Sequence, residues 1–376
     1  MVSAKHLRME MAVDTARTFR PSTILVWRNV ERHAEAARII GMFPQARVEI
    51  VDRQRLAPVP ARGSGHPMVA GKRTLMIGAA SSFLRRFDGG LGGRVCCAPY
   101  FKLVPLSNGC LYHCTYCYLA YVYRDYQPFI KMNINYGKMF KEIRETALQA
   151  QNAVAFNMGE MLDSLALDHV SLLAERMVPF FARLSNAYLM LLTKSANVEG
   201  LLRLAPNAHT VVSWSFNTPR MIETYEIGTA SLEERICAAK RCQEHGYRIR
   251  LRIDPGILDG DWRSDYAELL RQTLAVLEPE NITLGLLRIL PGHFALARQA
   301  YAGRAEALGK AGLSEKASDG KLRYPFRQRV EFYRFLIDVI RSFNERISIG
   351  LCRETPDVWS SLSHQCDPQQ CNCLIW

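Results

Sequence analysis

The sequence predicts an α/β protein: a full or partial (β/α) barrel, preceded by a small α/β unit and followed by a cysteine-rich tail. Two observations support this fold class. Apolar runs of strand length alternate with helix-like stretches over most of the chain, which indicates a parallel sheet covered by helices. Three cysteines then fall within eight residues at the end of the chain. We expect domain boundaries at 1–95, 96–350 and 351–376.

The first unit is predicted from a strand, helix and strand pattern. Its strands are expected at 21–28, 46–52 and 73–79. A proline- and glycine-rich loop at 56–72 precedes the third strand. The glycine-rich segment at 87–94 does not join a strand to a helix, so it is not a dinucleotide-binding fingerprint, and it is interpreted as the linker that ends this unit.

The barrel is predicted from a longer series of apolar runs. Its strands are expected at 100–106, 153–158, 187–193, 210–216, 248–254, 282–289 and 346–352. The clearest helix begins at Ser231, which has capping-box spacing to Glu234, and ends at Gly246. Chemistry in such folds sits at the C-terminal ends of the strands.

Composition is that of a globular protein. The start of the chain lacks the apolar core of a signal peptide and no run is long enough for a membrane span, so we expect a cytoplasmic protein without membrane contact. Eleven cysteines in such a protein favour metal binding or catalysis over disulfides. The formal charge of +12 is compatible with DNA or RNA as a partner, although Lys and Arg are scattered.

The strongest motif is CxxxCxxC, formed by Cys110, Cys114 and Cys117 directly after the first barrel strand. Three thiolates on one loop can bind three irons of a [4Fe–4S] cubane and leave the fourth iron open for the amine and carboxylate of a ligand. A structural zinc site is the alternative. It would need His113 or a distant residue as its fourth ligand.

The chain from about 21 to 350 resembles the spore photoproduct lyase family of radical S-adenosylmethionine (SAM) enzymes. The resemblance is clearest in SNGCLYHCTYCYL at 107–119, in LLTKSANVEGLL at 191–202 and in the run from 215 to 247. It implies a partial (β/α)6-type barrel with a [4Fe–4S] cluster and SAM as cofactors. It also implies a flavodoxin- or ferredoxin-like electron donor, and we expect a monomer.

The resemblance implies a SAM pocket formed by Lys194, Ser215 and Asn217, at the predicted ends of consecutive strands. Lys194 is expected to pair with the SAM carboxylate.

Other positions follow from the same resemblance. Gly159 and Glu160, just after the second barrel strand, are expected to receive the SAM ammonium group, with an exposed acidic loop residue as the alternative for Glu160. Tyr116 and Tyr118 match the family's aromatic pair, which packs the cluster or relays a hydrogen atom.

One position departs from the family pattern. In the family a cysteine returns a hydrogen atom to the repaired thymine, and alignment through Asp163, Asp168 and His169 puts Met161 in its place. A thioether has no S–H group to donate. Either Tyr118 or another cysteine serves as the donor, or the reaction differs.

The tail is a second departure. Soft thiolates favour iron–sulfur, zinc, copper(I) or a thiophilic substrate such as trivalent arsenic. The tail is therefore interpreted as free thiols, as a second metal or substrate site, or as the hydrogen donor, with Cys371 and Cys373 the catalytic candidates. The candidate second site contains Cys352, Cys366, Cys371 and Cys373, which Cys96 or Cys97 would join.

Three functions follow from these observations. The leading hypothesis is reductive cleavage of SAM to a 5′-deoxyadenosyl radical that acts on a thymine photolesion in DNA. The second keeps the cluster but uses a small-molecule or thiophilic substrate held by the tail cysteines, with transfer of a SAM-derived group. The third is a non-enzymatic zinc or nucleic-acid-binding protein.

Overall fold

The computed structural model describes residues 19–54, 66–89, 95, 97–123 and 127–376. The start of the chain, most of the proline- and glycine-rich loop, the linker residues 90–94 and Cys96 lie outside the described residues.

The strands, numbered in chain order, form two large sheets and two short antiparallel pairs, β7 with β12 and β15 with β16. They are β1 (Thr23–Trp27), β2 (Arg47–Val51), β3 (Thr74–Gly78), β4 (Leu84–Phe87), β5 (Tyr100–Leu103), β6 (Leu106–Ser107), β7 (His113–Cys114), β8 (Ile130–Asn133), β9 (Val154–Asn157), β10 (Ala187–Thr193), β11 (Thr210–Ser215), β12 (Glu226–Ile227), β13 (Arg248–Gly256), β14 (Asn281–Leu286), β15 (Glu315–Lys316), β16 (Leu322–Arg323) and β17 (Ser348–Leu351).

The helices connect these strands, and short 3₁₀ turns occur at Arg28–Val30, Gly71–Arg73 and Ala302–Ala305. They are α1 (Ala34–Gly41), α2 (Pro67–Ala70), α3 (Tyr118–Tyr123), α4 (Tyr136–Gln149), α5 (Asp168–Ser171), α6 (Leu173–Phe181), α7 (Glu199–Leu202), α8 (Pro219–Tyr225), α9 (Leu232–His245), α10 (Trp262–Leu274), α11 (His293–Tyr301), α12 (Glu306–Gly309), α13 (Phe326–Phe343) and α14 (Pro356–Ser361). Within the described ranges, none has the length and apolar character needed to cross a membrane.

The N-terminal sheet has the strand order β2-β1-β3-β8-β6. The three strands predicted for this unit are present as β1, β2 and β3, and they run parallel. β8 and β6 come from the chain after residue 95, so the sheet crosses the expected domain boundary. Ile130 and Met132 of β8 are buried beside β3, an addition that the sequence reading did not include.

The second sheet has the order β17-β14-β13-β11-β10-β9-β5-β4. All the predicted barrel strands are present, and they run parallel from β5 to β17. β4 adds an antiparallel edge strand. In the described residues β4 and β17 do not pair, so the sheet is an open, curled half-barrel, as predicted. Helices such as α6 and α9 pack on its outer face.

Helix α9 begins and ends where the sequence predicts. Ser231 accepts a hydrogen bond from the Glu234 amide, and the Glu234 carboxylate accepts one from the Ser231 amide. Gly246 closes the helix at φ 106°, a left-handed conformation that glycine adopts without strain.

The tail packs inside the half-barrel. Arg250 on β13 donates to the carbonyl of Leu374 over 2.6 Å, and the Asn372 amide donates to Thr283 on β14 over 2.8 Å. Ile375 packs on an apolar patch formed by β9, β10 and β11. A Cβ atom on Gly350 would lie 2.6 Å from the Gln370 carbonyl, so glycine is required where the tail crosses β17. The tail is therefore part of the barrel interior.

We expect Arg250→Met to lower the free energy of unfolding by roughly 2–4 kcal/mol, because it removes a buried ion pair and leaves tail carbonyls without a donor. Arg248→Met is the matched control, since Arg248 binds the same Glu280 but is 31% exposed. It should cost less than about 1 kcal/mol. Anaerobic urea unfolding measures both, and equal losses would contradict the structural role of Arg250.

Candidate active site

A cavity of about 550 Å³ opens at the C-terminal ends of the barrel strands. Its walls come from the loop that follows β6, from the ends of β9, β10, β11 and β13, and from the segments after β14 and β17. This is the predicted location, and the volume lies in the range of small-molecule sites.

Cys110, Cys114 and Cys117 all line this cavity. The loop that carries them is held by β7, which pairs with β12 so that Cys114 lies opposite Glu226. A tight turn follows, in which the Cys117 amide donates to the Cys114 carbonyl over 3.0 Å. The pairing with β12 therefore fixes the direction of the three thiols.

The three thiols fit a [4Fe–4S] cluster by the chemistry of the donor set. Burial raises the pKa of Cys110 to about 12 and that of Cys114 well above its usual value, so burial alone favours the thiol forms. A bound metal cation reverses this preference, because coordination deprotonates the ligand. Three soft thiolates that share one cavity can each bind a different iron.

His113 is not placed to complete a zinc site. It precedes Cys114 on β7, where successive side chains point to opposite faces, and it is not among the cavity-lining residues. Its ring packs against the edge of Tyr301 with centroids 6.0 Å apart. Burial lowers the pKa of His113 to about 3.

Lys194 and Ser215 meet at the cavity wall. The Lys194 ammonium donates to the Ser215 hydroxyl over 2.6 Å, and that hydroxyl donates to the Asp254 carbonyl over 3.1 Å. The backbone of Lys194 is also fixed, because its amide donates to the buried Asp163 over 2.8 Å. Lys194 thus presents an oriented cation to the cavity.

The residue that holds this cation is Glu226, which the sequence reading missed. Its carboxylate is 1% exposed, accepts from Lys194 over 3.0 Å and from Arg235 over 2.6 Å, and also accepts from the Tyr116 hydroxyl. Burial alone would raise the pKa of Glu226, but the Lys194 and Arg235 cations hold it at about 2. Glu226 therefore stays ionised and fixes Lys194.

Asn217 has a different place from the one expected. It is fully buried and does not line the cavity. Its amide donates to the Pro255 carbonyl over 2.9 Å, and its oxygen accepts from Tyr266 over 2.9 Å. The structure therefore places Asn217 behind the wall, where it supports the ends of β11 and β13.

Gly159 and Glu160 both line the cavity. A Cβ atom on Gly159 would lie 2.1 Å from the Leu192 Cβ, so the close approach of the two strand ends requires glycine. Glu160 is already paired, with Arg353 at 3.3 Å and Arg252 at 3.5 Å. Burial opposes its ionisation, but these guanidinium groups hold the pKa of Glu160 at about 2. The alternative of an exposed loop acid is therefore wrong for Glu160, which is a largely buried ion-pair partner.

The two tyrosines differ in their surroundings. Both line the cavity, but the Tyr116 hydroxyl is engaged, because it donates to Glu226. Tyr118 is 50% exposed and has the Lys321 ammonium 5.1 Å from its ring centroid. Tyr118 is therefore the more accessible of the two to a ligand in the cavity.

A cationic network forms the floor of the cavity. Asp254 binds Arg252 over 2.6 Å and Arg288 over 2.9 Å, and both arginines also donate to the Cys352 sulfur, over 3.0 and 3.1 Å. Burial opposes the ionisation of Asp254, but the two arginines lower its pKa.

The tail cysteines do not form one site. Cys373 and Cys371 pack with Cys97 beside Phe87, and the Cys373 sulfur lies 3.8 Å from Glu160. Cys366 instead packs near α13 and donates to the Leu362 carbonyl. In the described part of the chain, no three His, Cys, Asp or Glu side chains converge on a single metal ion. A cubane makes no such demand, because each cysteine of the 110–117 loop would bind its own iron. The expectation of one site containing all four cysteines was wrong, because the chain between Cys366 and Cys371 turns into the barrel.

Because the sequence predicts that Lys194 pairs with the SAM carboxylate, we expect Glu226→Gln to raise the KM for SAM roughly 10–100-fold, since a charged hydrogen bond that orients Lys194 is lost. Glu223→Gln is the control, since Glu223 is exposed on the preceding helix. Steady-state kinetics at equal iron content measure the effect. An unchanged KM in the Glu226 variant would show that Lys194 needs no such support.

Comparisons with known proteins were made for sequence and structure. The sequence model of the spore photoproduct lyase family matches residues 19–294. The spore photoproduct lyase of Clostridium acetobutylicum is 26% identical over 237 residues, which cover 62% of this chain and 68% of that protein. That of Bacillus subtilis is 25% identical over 235 residues, which cover 62% and 66%.

Solved structures agree in fold. A spore photoproduct lyase complexed with dinucleoside spore photoproduct has a TM-score of 0.77 at 19% identity and covers 89% of this chain and 98% of that chain. A double mutant with bound AdoMet and dinucleoside spore photoproduct has a TM-score of 0.77 at 18% identity, with the same coverage. Because the family model matches most of the sequence, the chain belongs to the spore photoproduct lyase family of radical SAM enzymes.

Proposed function

We propose that this chain removes a hydrogen atom from a thymine photolesion in DNA, in a repair reaction similar to that of spore photoproduct lyase. The observation that carries the proposal is the cavity in which Cys110, Cys114 and Cys117 lie with Lys194, inside a chain of that family. Membership of this family of enzymes sets aside the non-enzymatic zinc protein.

In this proposal Cys110, Cys114 and Cys117 hold the cluster. When bound, the cluster supplies the electron that cleaves SAM into methionine and a 5′-deoxyadenosyl radical. Lys194 binds the SAM carboxylate through the ammonium group that Glu226 orients. The cavity walls exclude water and hold the substrate carbon near the radical.

A DNA lesion is supported by what the relatives bind. Two of the matching structures contain dinucleoside spore photoproduct. A charge of +12 suits a polyanionic partner, and a lesion inside duplex DNA would have to be flipped out to enter the cavity. We further propose a flavodoxin- or ferredoxin-like electron donor and a monomeric enzyme.

The return of the hydrogen atom needs a donor other than Met161, which lines the cavity as a thioether. Tyr118 and Cys373 are the candidates. Tyr118 faces the cavity directly, whereas Cys373 lies beneath Glu160 with its sulfur 3.8 Å from that carboxylate. In either case the O–H or S–H bond breaks, the hydrogen atom joins the substrate radical, and the protein side chain keeps the unpaired electron.

Anaerobically reconstituted protein, dithionite, SAM and lesion-bearing DNA should give 5′-deoxyadenosine together with repaired thymine. Cys114→Ala should abolish both products, because a cubane with two protein ligands is not held. Cys237→Ala, at an exposed position on α9, is the control that retains activity. Formation of 5′-deoxyadenosine without repair would reject the DNA lesion as substrate.

A second candidate function has one specific observation in its favour. Cys371 and Cys373 pack together with Cys97, and the Cys373 sulfur lies 3.8 Å from Glu160, a residue of the cavity wall. Such thiols suit a small thiophilic substrate, such as trivalent arsenic, that would receive a SAM-derived group.

The matched pair for this candidate is Cys371→Ser with Cys373→Ser against Cys366→Ser. If the tail thiols hold the substrate, reduced protein retains arsenite after desalting, the double variant loses it and the Cys366 variant keeps it, because Cys366 lies elsewhere. Unchanged DNA repair by the double variant, with no arsenite retained by the unmodified protein, would remove this candidate.

A further inference from the structure

We propose that the cavity binds an oxyanion of the substrate, a phosphate or carboxylate group, through the ammonium groups of Lys102 and Lys321 beside the guanidinium of Arg353. This inference rests on the proposed function only in using the same cavity. It further states that the substrate carries a negative charge and which side chains bind that charge, two points that the similarity to the family leaves open.

The walls of the cavity carry more positive than negative side chains. Six cationic groups face four carboxylates, and the cations are Lys102, Lys194, Arg252, Arg288, Lys321 and Arg353. A low-dielectric cleft lined mainly by one sign of charge attracts the opposite sign.

The carboxylates are already paired. Glu160 and Asp254 are bound by the arginines of the cavity floor. Asp319 forms an ion pair of 2.6 Å with Arg323, and Arg323 is buried and does not line the cavity. The fourth, Asp163, accepts from three backbone amides and from Thr193. None of them forms an ion pair with Lys102 or Lys321, although Glu160 and Asp319 attract these cations from a longer distance.

Lys102 and Lys321 are the cations that remain. Among the described residues neither has a carboxylate within ion-pair distance, and each lies against an aromatic ring instead. The Lys102 ammonium is 5.0 Å from the Phe87 centroid, and that of Lys321 is 5.1 Å from the Tyr118 centroid. Both are half-buried, so desolvation without a counterion destabilises them.

Arg353 and the two lysines line the same cavity, and Arg353 shares the Phe87 ring with Lys102. Burial lowers the pKa of both lysines, that of Lys321 to about 8. Repulsion from Arg353 adds to this for both, and from Arg288 for Lys321, whereas Glu160 partly opposes it for Lys102. Arg353 itself has a left-handed backbone, φ 51°, which is strained for a residue with a Cβ atom. It lies between Glu160 and the Phe87 ring, 4.8 Å from the centroid.

The proposed oxyanion is distinct from the SAM carboxylate. Lys194 lies beside the cluster loop and is held by Glu226, whereas Lys102 is on β5 and Lys321 is on the β15–β16 hairpin. An incoming anion would therefore belong to the second substrate. In the DNA reaction it is the phosphodiester that joins the two thymidines, and in a small-molecule reaction it is a carboxylate.

The test compares two dinucleotides that carry the same lesion, one with a phosphodiester and one with an uncharged methylphosphonate link. Dissociation constants are measured on the anaerobic holoenzyme with SAM. We expect the unmodified protein to prefer the phosphodiester at least tenfold, and Lys102→Gln or Lys321→Gln to remove most of that preference. The ratio of the two constants does not depend on the folded fraction.

Lys316→Gln is the matched control, because Lys316 is exposed on the same hairpin, and it should keep the full preference. Equal binding of both dinucleotides by the unmodified protein would overturn the inference for phosphate. Inorganic phosphate and acetate are then tested by thermal shift. If either ion stabilises the unmodified protein and Lys102→Gln and Lys321→Gln abolish that stabilisation, the result supports an oxyanion site. Stabilisation by phosphate indicates a phosphate group on the substrate, and stabilisation by acetate indicates a carboxylate.

The same measurements separate this inference from the proposed function. If lesion DNA is not turned over but acetate or phosphate stabilises the protein through the two lysines, the DNA substrate fails and the oxyanion site stands. If repair proceeds but neither ion stabilises the protein and the two dinucleotides bind equally, the oxyanion site is rejected and the proposed function stands.

Discussion

The ion pair between Lys194 and the buried Glu226 is the interaction on which the site depends. Glu226 belongs to the short strand that holds the cluster loop, and its carboxylate contacts Lys194 at the end of β10 and Arg235 on α9. A buried carboxylate without partners is strongly destabilising, so these cations cannot move independently of it. One side chain thus couples the position of the loop that carries Cys110, Cys114 and Cys117 to that of Lys194.

The same constraint shapes the rest of the barrel interior. An open half-barrel leaves the inner face of its strands without a closing sheet, and here that face carries Arg250, Arg252 and Asp254. The tail covers the lower part, and its carbonyls accept from Arg250. The upper part stays open as the cavity. The tail contacts with Arg250 therefore mark the limit of the packed interior, and the cavity begins beyond them.

The sulfur chemistry of the chain is divided by this arrangement. Cys110, Cys114 and Cys117 face the cavity from above, while Cys352 and Cys373 lie beneath a layer formed by Glu160 and the arginines. Burial raises the pKa of Cys352 to about 12, as it does that of Cys110, so the two groups differ in what they face and not in acidity.

Local patterns were enough for much of the molecule. Strand and helix alternation predicted the half-barrel because the buried face of each element leaves a period in the sequence. The spacing of Cys110, Cys114 and Cys117 predicted a shared site because one loop carries all three. Ser231 and Glu234 predicted a helix start through contacts three residues apart. These features need no information from distant parts of the chain.

Distant pairings were decided only by the tertiary structure. The sequence by itself determined the barrel, the cluster motif and the position of Lys194, all of which depend on short-range spacing. It did not determine that Glu226 holds Lys194 from 32 residues away, or that Cys373 meets Glu160 across 213 residues. Two predictions from the sequence also differ from the structure, namely that Asn217 lines the pocket and that Cys366 lies with the other tail thiols. The packing of the strands determines which buried charges and thiols meet. Because these partners are far apart in the sequence, no local pattern of residues indicates them.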